Sequence, residues 1–423
     1  MTLPDPPSSS GARVDEAGDR IPVQPVGVMS LVVDREFQKL WTIGVLMGAM
    51  RWLEMLAIGV WVYAETASPV LVALMMVLRM LPMAMFGTFT GAIADRIDRR
   101  LILIGCMMTM AGVTAVLSVL AWFGMLEIWQ VGLGAFINGL CWSTDFPVRR
   151  TILGESVGQG RLGPAMSMDS ASNNATRMIG PLAGGALFTA VGMTGAYAVA
   201  ATFYAVAGLL AITLIYRQAK RPPRSTKLFA DIAEGITYLR KNRALMGHLG
   251  VTIIVNLFAF PYAAMAPVVG DETFSVSPVL IGLMMASEGA GAFVGATLLA
   301  FLATPARFRR IYVLGSGLFI FCILLFSLVD VYGMAVVILV VGGFGIAGFA
   351  AMQSAIMFSE APPEIRSRLM GVLSVCIGAG PIGVMHVGWL ASMLGGSTAL
   401  TVIAVEGLAA LAVLLVCVPE LRR

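Results

Sequence analysis

Charge is scarce in this chain, and so is every residue type that builds a soluble active site. Only 12% of its 423 residues are charged, and it has two histidines and five cysteines. A metal site needs several ligands close together. His248 and His386 lie far apart in the chain with no ligand cluster beside either, so no metal is expected. Cys106, Cys141, Cys322, Cys376 and Cys417 form no C-x-x-C pair. Each falls in or at the end of an apolar run, where a thiol is a small packing group. No G-x-x-x-x-G-K-[ST] loop is present, which speaks against ATP coupling within the chain. No nucleophile–base constellation suggests an enzyme, and no cofactor is implied. Alternation of polar and apolar residues is also missing, which argues against a barrel. The basic residues are dispersed over several loops, so a nucleic-acid partner has no support.

What the chain has instead is apolar length. It is 58% hydrophobic, and twelve runs are each long enough to cross a bilayer. A hydrocarbon core of about 30 Å demands roughly 20 apolar residues of a helix. Backbone groups find no water there, so the runs must be helical. The spacing predicts spans over 37–63, 69–91, 101–123, 127–148, 162–188, 195–216, 246–269, 278–302, 311–329, 334–357, 369–393 and 397–418. Residues 1–36 differ. Their start is rich in Pro, Ser, Gly and charge, and they read as a disordered tail rather than a signal peptide.

Charge sets the orientation. Apart from Arg51, Arg79 and Arg177, deep within spans, the basic residues gather in the tails, at span ends and in every second loop. These loops carry Arg96, Arg99 and Arg100, then Arg149, Arg150 and Arg161, then Arg217 to Arg243, Arg307 to Arg310, and Arg366 with Arg368. The intervening loops carry Glu65, Glu127, Asp271, Glu272 and Asp330, with no Lys or Arg. Basic loops stay in the cytoplasm, so both termini are expected there. Residues 217–245 form a linker in which Phe229, Ile232, Ala233, Ile236 and Leu239 recur at helical spacing. An amphipathic surface helix tying two bundles together is expected. The bundles are 37–216 and 246–418, with 419–423 as a cytosolic end.

The bundles echo one another. G-T-F-T-G at 87–91 precedes Arg99-Arg100, and G-A-F-V-G at 291–295 precedes Arg309-Arg310. Gly180-Pro181 in the fifth span matches Gly380-Pro381 in the eleventh. A parallel repeat of two six-helix bundles is a transporter architecture, with its site between them near the midplane.

Between spans two and three runs Gly91-Ala-Ile-Ala-Asp95-Arg96-Ile-Asp98-Arg99-Arg100. It resembles the G-x-x-x-D-R-x-x-R-R signature of the major facilitator superfamily. Gly91 allows close helix approach. Asp95 suits a neighbouring helix N-terminus. The resemblance implies a cytosolic latch made by Gly91, Asp95, Arg96, Arg99 and Arg100, and an all-α membrane protein of twelve helices in two pseudo-symmetric six-helix bundles. Asp98 stands where the family usually has glycine. That variant, Leu81-Pro82, Pro147-Val-Arg-Arg150, Asn173 through Gly185 and the 234–242 linker resemble the enterobactin-exporter and macrolide-efflux branch. Gly180, Pro181, Gly184 and Gly185 are similar to the family's antiporter motif, although Thr176 replaces its first glycine. Pro181 removes a helix hydrogen bond and kinks the span.

Charges in hydrocarbon are costly and usually mark function. Glu54, three residues from Arg51 on one face of the first span, is the first candidate for the proton-coupling carboxylate. A static pair of the two is the competing expectation. Glu288 is the second candidate. Asp145, one turn before Arg149, is a gate or structural pair as well as a proton candidate. Asp169 lies near Asn173, and Glu406 ranks low. In the family the first, fourth, seventh and tenth helices line the cavity. That implies Asn138, Trp142, Asn256, Tyr262 and Gln353 as lining residues, with Trp61, Phe136 and Phe258. Arg79 and Arg177 are candidates for an anionic substrate group or for structure. The 28 methionines give an adaptable surface.

The expectation is export of small amphipathic molecules by proton antiport: a drug, a macrolide-like compound or a siderophore. The protein would work as a monomer in the cytoplasmic membrane, partnered by lipid, substrate and protons, with the proton motive force as energy source. A lipid or lysolipid flippase on the same fold, or a non-transporting membrane sensor or scaffold, are the alternatives.

Overall fold

The computed structural model describes residues 29–94, 97–157, 161–216, 218, 242–302, 304–360 and 366–422, and none of these is in a strand. Helices follow from the solvent, because a helix satisfies its backbone within one segment. In chain order they are α1 (Met29–Val33), α2 (Arg35–Thr66), α3 (Pro69–Ala94), α4 (Arg99–Trp122), α5 (Ile128–Val157), α6 (Leu162–Ile212), α7 (Arg243–Phe258) and α8 (Tyr262–Glu272). Then come α9 (Pro278–Leu302), α10 (Phe308–Ser327), α11 (Tyr332–Glu360), α12 (Arg366–Ile377), α13 (Gly380–Leu394) and α14 (Gly396–Cys417). Among the described residues, nine helices or helix pairs are long and apolar enough to cross a membrane by length and composition, and Pro69–Met85 is a shorter apolar helix. The expected tail up to residue 28, Asp95 and Arg96 of the latch, and the amphipathic helix of the linker lie outside the described residues.

Where helices start and stop has local causes. Asp34 caps α2, accepting from the N–H groups of Glu36 and Phe37 at 3.1 and 3.3 Å. Asp98, the departure from the family signature, caps α4 by accepting from Arg100 N at 2.8 Å. The fifth and sixth expected spans are one long helical run. They part at Gly192, whose φ of 63° and ψ of −166° suit only glycine. The seventh expected span is broken into α7 and α8 around Ala259–Pro261, where proline lacks an amide hydrogen. The two Gly-Pro pairs differ. Pro181 sits inside α6, whereas Gly380-Pro381 opens α13 after a break from α12.

Two main seams join the segment 29–216 to the segment 242–422, α6 against α9 and α3 against α13, and α8 also touches α2 and α3. The first is a backbone-to-backbone crossing. A Cβ on Gly185 would overlap the backbone of Pro278, and one on Gly282 would overlap that of Pro181. Small residues let helices approach this closely, which is how membrane helices gain packing energy without a hydrophobic driving force. Elsewhere α2 packs on α6, α3 on α5, α4 on α5 and α6, and α11 on α9 and α10. The outward faces are apolar, with Trp122, Leu314, Val337 and Val413 exposed. A soluble protein would not carry so many.

Candidate functional site

Glu54 lies halfway along α2 and is 1% exposed. Arg79 Nη1 donates to its Oε2 at 3.2 Å, and Asn138 Nδ2 reaches its two oxygens at 3.5 and 3.3 Å. The side chains come from α2, α3 and α5, and the buried Tyr197 and Tyr204 of α6 flank them. The expected Arg51–Glu54 pair does not form. Glu54 turns into the seam where Arg79 waits, and a carboxylate in hydrocarbon takes the cation that shares its burial.

Arg51 instead lies on aromatic rings, 4.5 Å from the Trp142 centroid and 5.7 Å from that of Phe146. Asp145, 1% exposed, feels the charges of Arg51 and Arg149, yet its Oδ1 has no hydrogen-bond partner. The expected Asp145–Arg149 pairing is not the one found. Arg149 Nη1 meets Asp169 Oδ1 at 2.7 Å, and Arg150 Nε meets Asp169 Oδ2 at 2.9 Å. Both arginines lean from α5 toward α6, and Arg149 also donates to Leu40 O of α2 at 3.3 Å.

Glu288 of α9 makes the contact that crosses between segments at mid-depth. Arg177 Nη2, from α6, bonds both of its oxygens at 3.0 Å. Tyr262 OH, from the start of α8, donates to Oε2 at 3.1 Å. Glu288 lies ten residues into α9, about 15 Å from its start at 1.5 Å per residue. Arg177 is also 5.4 Å from the Trp52 ring of α2.

Asn256 and Gln353 fall in a separate polar cluster. Gln353 O bonds His248 Nε2 at 2.9 Å, Gln353 Nε2 reaches Thr252 Oγ1 at 3.4 Å, and Asn256 Nδ2 donates to Thr252 O at 2.9 Å. Tyr312 closes it, 2.7 Å from Thr252 Oγ1 and stacked on Phe349. Glu406 Oε2 lies 3.4 Å from His386 Nε2, between α14 and α13. No group of three potential metal ligands occurs among the described residues.

The two ends of the molecule differ. At the end bearing the acidic loops, Tyr63 OH of α2 donates to Glu272 Oε1 of α8 at 2.5 Å, and Gly396 N donates to Glu272 Oε2 at 2.8 Å. One carboxylate thus ties α2, α8 and α14. A small cavity of about 20 Å³ lies beside Met55, Gly59, Arg79 and Pro267. A larger bowl of about 890 Å³ sits at the same end between α2, α3 and α5, lined by Trp61, Leu74, Trp129 and Phe136 among others. At the arginine-rich end three ion pairs join helices of the same segment. Arg99 meets Glu155 at 2.9 Å, Arg161 meets Asp34 at 3.0 Å and Arg309 meets Glu360 at 2.7 Å. Arg100 donates to the carbonyls of Ala211 and Ile212 at the end of α6. These contacts of Arg99 and Arg100 hold the end of α5 through Glu155 and the end of α6 through its last carbonyls, which attract cations.

Several partners escaped sequence reading. Phe146, Tyr197, Tyr204 and Tyr312 look like ordinary core aromatics until their neighbours are known. Glu272 carried a signal, being an acid in a loop beside a span. Thr176 is accommodated by a glycine on the facing helix: a Cβ on Gly48 would meet Thr176 Oγ1 at 2.7 Å. The close approach that the motif provides is kept, with its small residue moved to α2.

Comparison with known proteins agrees with this arrangement. The profile of the family described as transmembrane secretion effector matches residues 28–422. The chain is 23% identical to macrolide efflux protein A of Streptococcus pyogenes, over 80% of this chain and 85% of that protein. It is 21% identical to the staphyloferrin A transporter of Staphylococcus aureus, over 81% and 86%. The fold matches the crystal structure of a point mutant of the nucleoside transporter NupG with a TM-score of 0.73 at 14% identity, covering 92% of this chain and all of that one.

Proposed function

Because the chain belongs to the transmembrane secretion effector family of major facilitator transporters, we propose that it exports small amphipathic molecules across the cytoplasmic membrane by proton antiport. Twelve spans form two six-helix bundles, 37–216 and 246–418. The breaks within α7–α8 and α12–α13 leave single crossings, and Gly192 divides α6 into two. Basic loops put the arginine-rich end and both termini in the cytosol. The protein works as a monomer on the proton motive force. Relatives named for macrolide efflux and for staphyloferrin A support a macrolide-like, drug or siderophore-like substrate.

The observation that carries the mechanism is the Arg177–Glu288–Tyr262 contact. It is an ion pair at mid-depth shared by both segments, beside the glycine crossing of α6 and α9. Rocking of one bundle on the other must respect or break it. A proton on Glu288 removes the charge that holds Arg177, and loss of that proton restores the tie. Glu54 is the second candidate, because Arg79 and Asn138 hold it within one segment. The seal of Tyr63 on Glu272 supports a state closed at the acidic end and open to the cytosol.

The test is substrate-triggered proton release from energised inside-out vesicles, screened over macrolides, siderophores and lipophilic dyes. Release in wild type that Glu288→Gln lacks, and that Glu54→Gln keeps, is expected. The reverse pattern moves the proton to Glu54. No release with any compound sinks antiport. A lipid flippase is the second reading, favoured by the apolar bowl beside Trp129, which is 63% exposed. That reading predicts movement of fluorescent lysolipid between leaflets of reconstituted vesicles.

A further inference from the structure

The deep cations of this protein are spoken for, with one exception. Arg79 bonds Glu54, Arg149 and Arg150 bond Asp169, and Arg177 bonds Glu288. Arg51 lies along α2 between the levels of these pairs and, among the described residues, has no hydrogen bond or ion pair at all. Its contacts are the rings of Trp142 and Phe146. A stacked guanidinium spends its flat face on the ring and leaves its in-plane N–H fork free. That fork matches a carboxylate or phosphate bidentately. An unpaired charge in such surroundings is costly, and a bound anion relieves the cost.

The neighbouring acid makes this more than an idle cation. Asp145 is buried and within the electrostatic reach of Arg51, yet no ion pair joins them and Asp145 Oδ1 has no hydrogen-bond partner. With no ion pair between the two, the guanidinium fork is open to another anion. Arg51 is half-buried rather than sealed, one turn along α2 from Met55, which lines the small cavity. It therefore stands on the arginine-rich side of that cavity.

We infer that Arg51, on its platform of Trp142 and Phe146, binds the anionic group of an amphipathic substrate, and that Asp145 takes its place once the substrate leaves. This rests on the exporter reading and narrows it to substrates bearing a carboxylate or similar anion beside an apolar body. The aromatic rings take the apolar part next to the charge, and Asp145 competes for the guanidinium, so the anion is held without being trapped.

The test is equilibrium binding to the full chain in lipid nanodiscs with no gradient, so it does not depend on antiport. The probes are naphthaleneacetate and its uncharged amide. Wild type is expected to bind the carboxylate roughly tenfold more tightly, the equivalent of one charged hydrogen bond. Arg51→Gln is expected to lose that preference and Arg51→Lys to keep part of it. Asp145→Asn is expected to tighten carboxylate binding, a gain that a merely structural role of either residue does not produce. Equal affinity for the two probes, binding of neither, a preference that survives Arg51→Gln, or no gain in Asp145→Asn each overturns the assignment. Failure here leaves the vesicle flux result standing, and failure there leaves this one standing.

Discussion

Single charges in this protein are decided by who shares their burial. Glu54 and Arg79 are both almost fully buried and 3.2 Å apart. Removing one partner strands the other, which costs roughly 3–5 kcal/mol, whereas removing both is close to neutral. Arg79→Met is therefore expected to lower the melting temperature in detergent sharply. Adding Glu54→Gln to that variant should restore most of the loss, and a double variant as unstable as the single one would refute the pairing. The sequence made the charges visible, because any charge in an apolar run stands out. Their partners were not visible. Arg51 and Glu54 are near neighbours on one helix, but the choice between Arg51 and Arg79 is made by α3 and α5, which sequence spacing does not describe.

Elements were legible where composition alone sets them. Long apolar runs gave the helices, and glycine and proline gave most of the interruptions. The boundary between the fifth and sixth spans is the clearest case. A loop was expected around 189–194, and the chain supplies one residue, Gly192, in a conformation open to glycine alone. Gly192→Ala has no steric neighbour to meet, so its cost is backbone strain, about 1–3 kcal/mol. The expected outcome is a stable but less thermally resistant protein. An unchanged melting temperature would mean that α6 runs through this point differently. The break of the seventh span was harder to read. Pro261 signals it, but whether a proline kinks a membrane helix or ends it depends on what neighbours offer the freed carbonyls.

At the acidic end of the molecule one carboxylate ties the two segments by hydrogen bonds. Glu272 uses one oxygen for Tyr63 and the other for the amide of Gly396. Tyr63→Phe removes the tie between segments and leaves the tie to α14. That variant is expected to spend more time open at the acidic end. A Met55→Cys reporter in a background lacking the five native cysteines should then react faster with an impermeant thiol reagent added from that side, and an unchanged rate would remove Tyr63 from the seal. The loop charges were readable in the sequence. The seal was not, since it joins residues more than two hundred positions apart. The cross-segment pair of Arg177 and Glu288 has an electrical consequence as well. Paired, the two side chains carry no net charge, and the membrane potential exerts no net pull on them. A proton on Glu288 leaves a lone cation near half-depth. A full charge crossing is worth about 2.3 kcal/mol per 100 mV, so roughly half of that acts on Arg177. In a membrane that is negative inside, voltage then draws this cation toward the cytosolic face, and turnover should slow as the membrane depolarises even at constant pH.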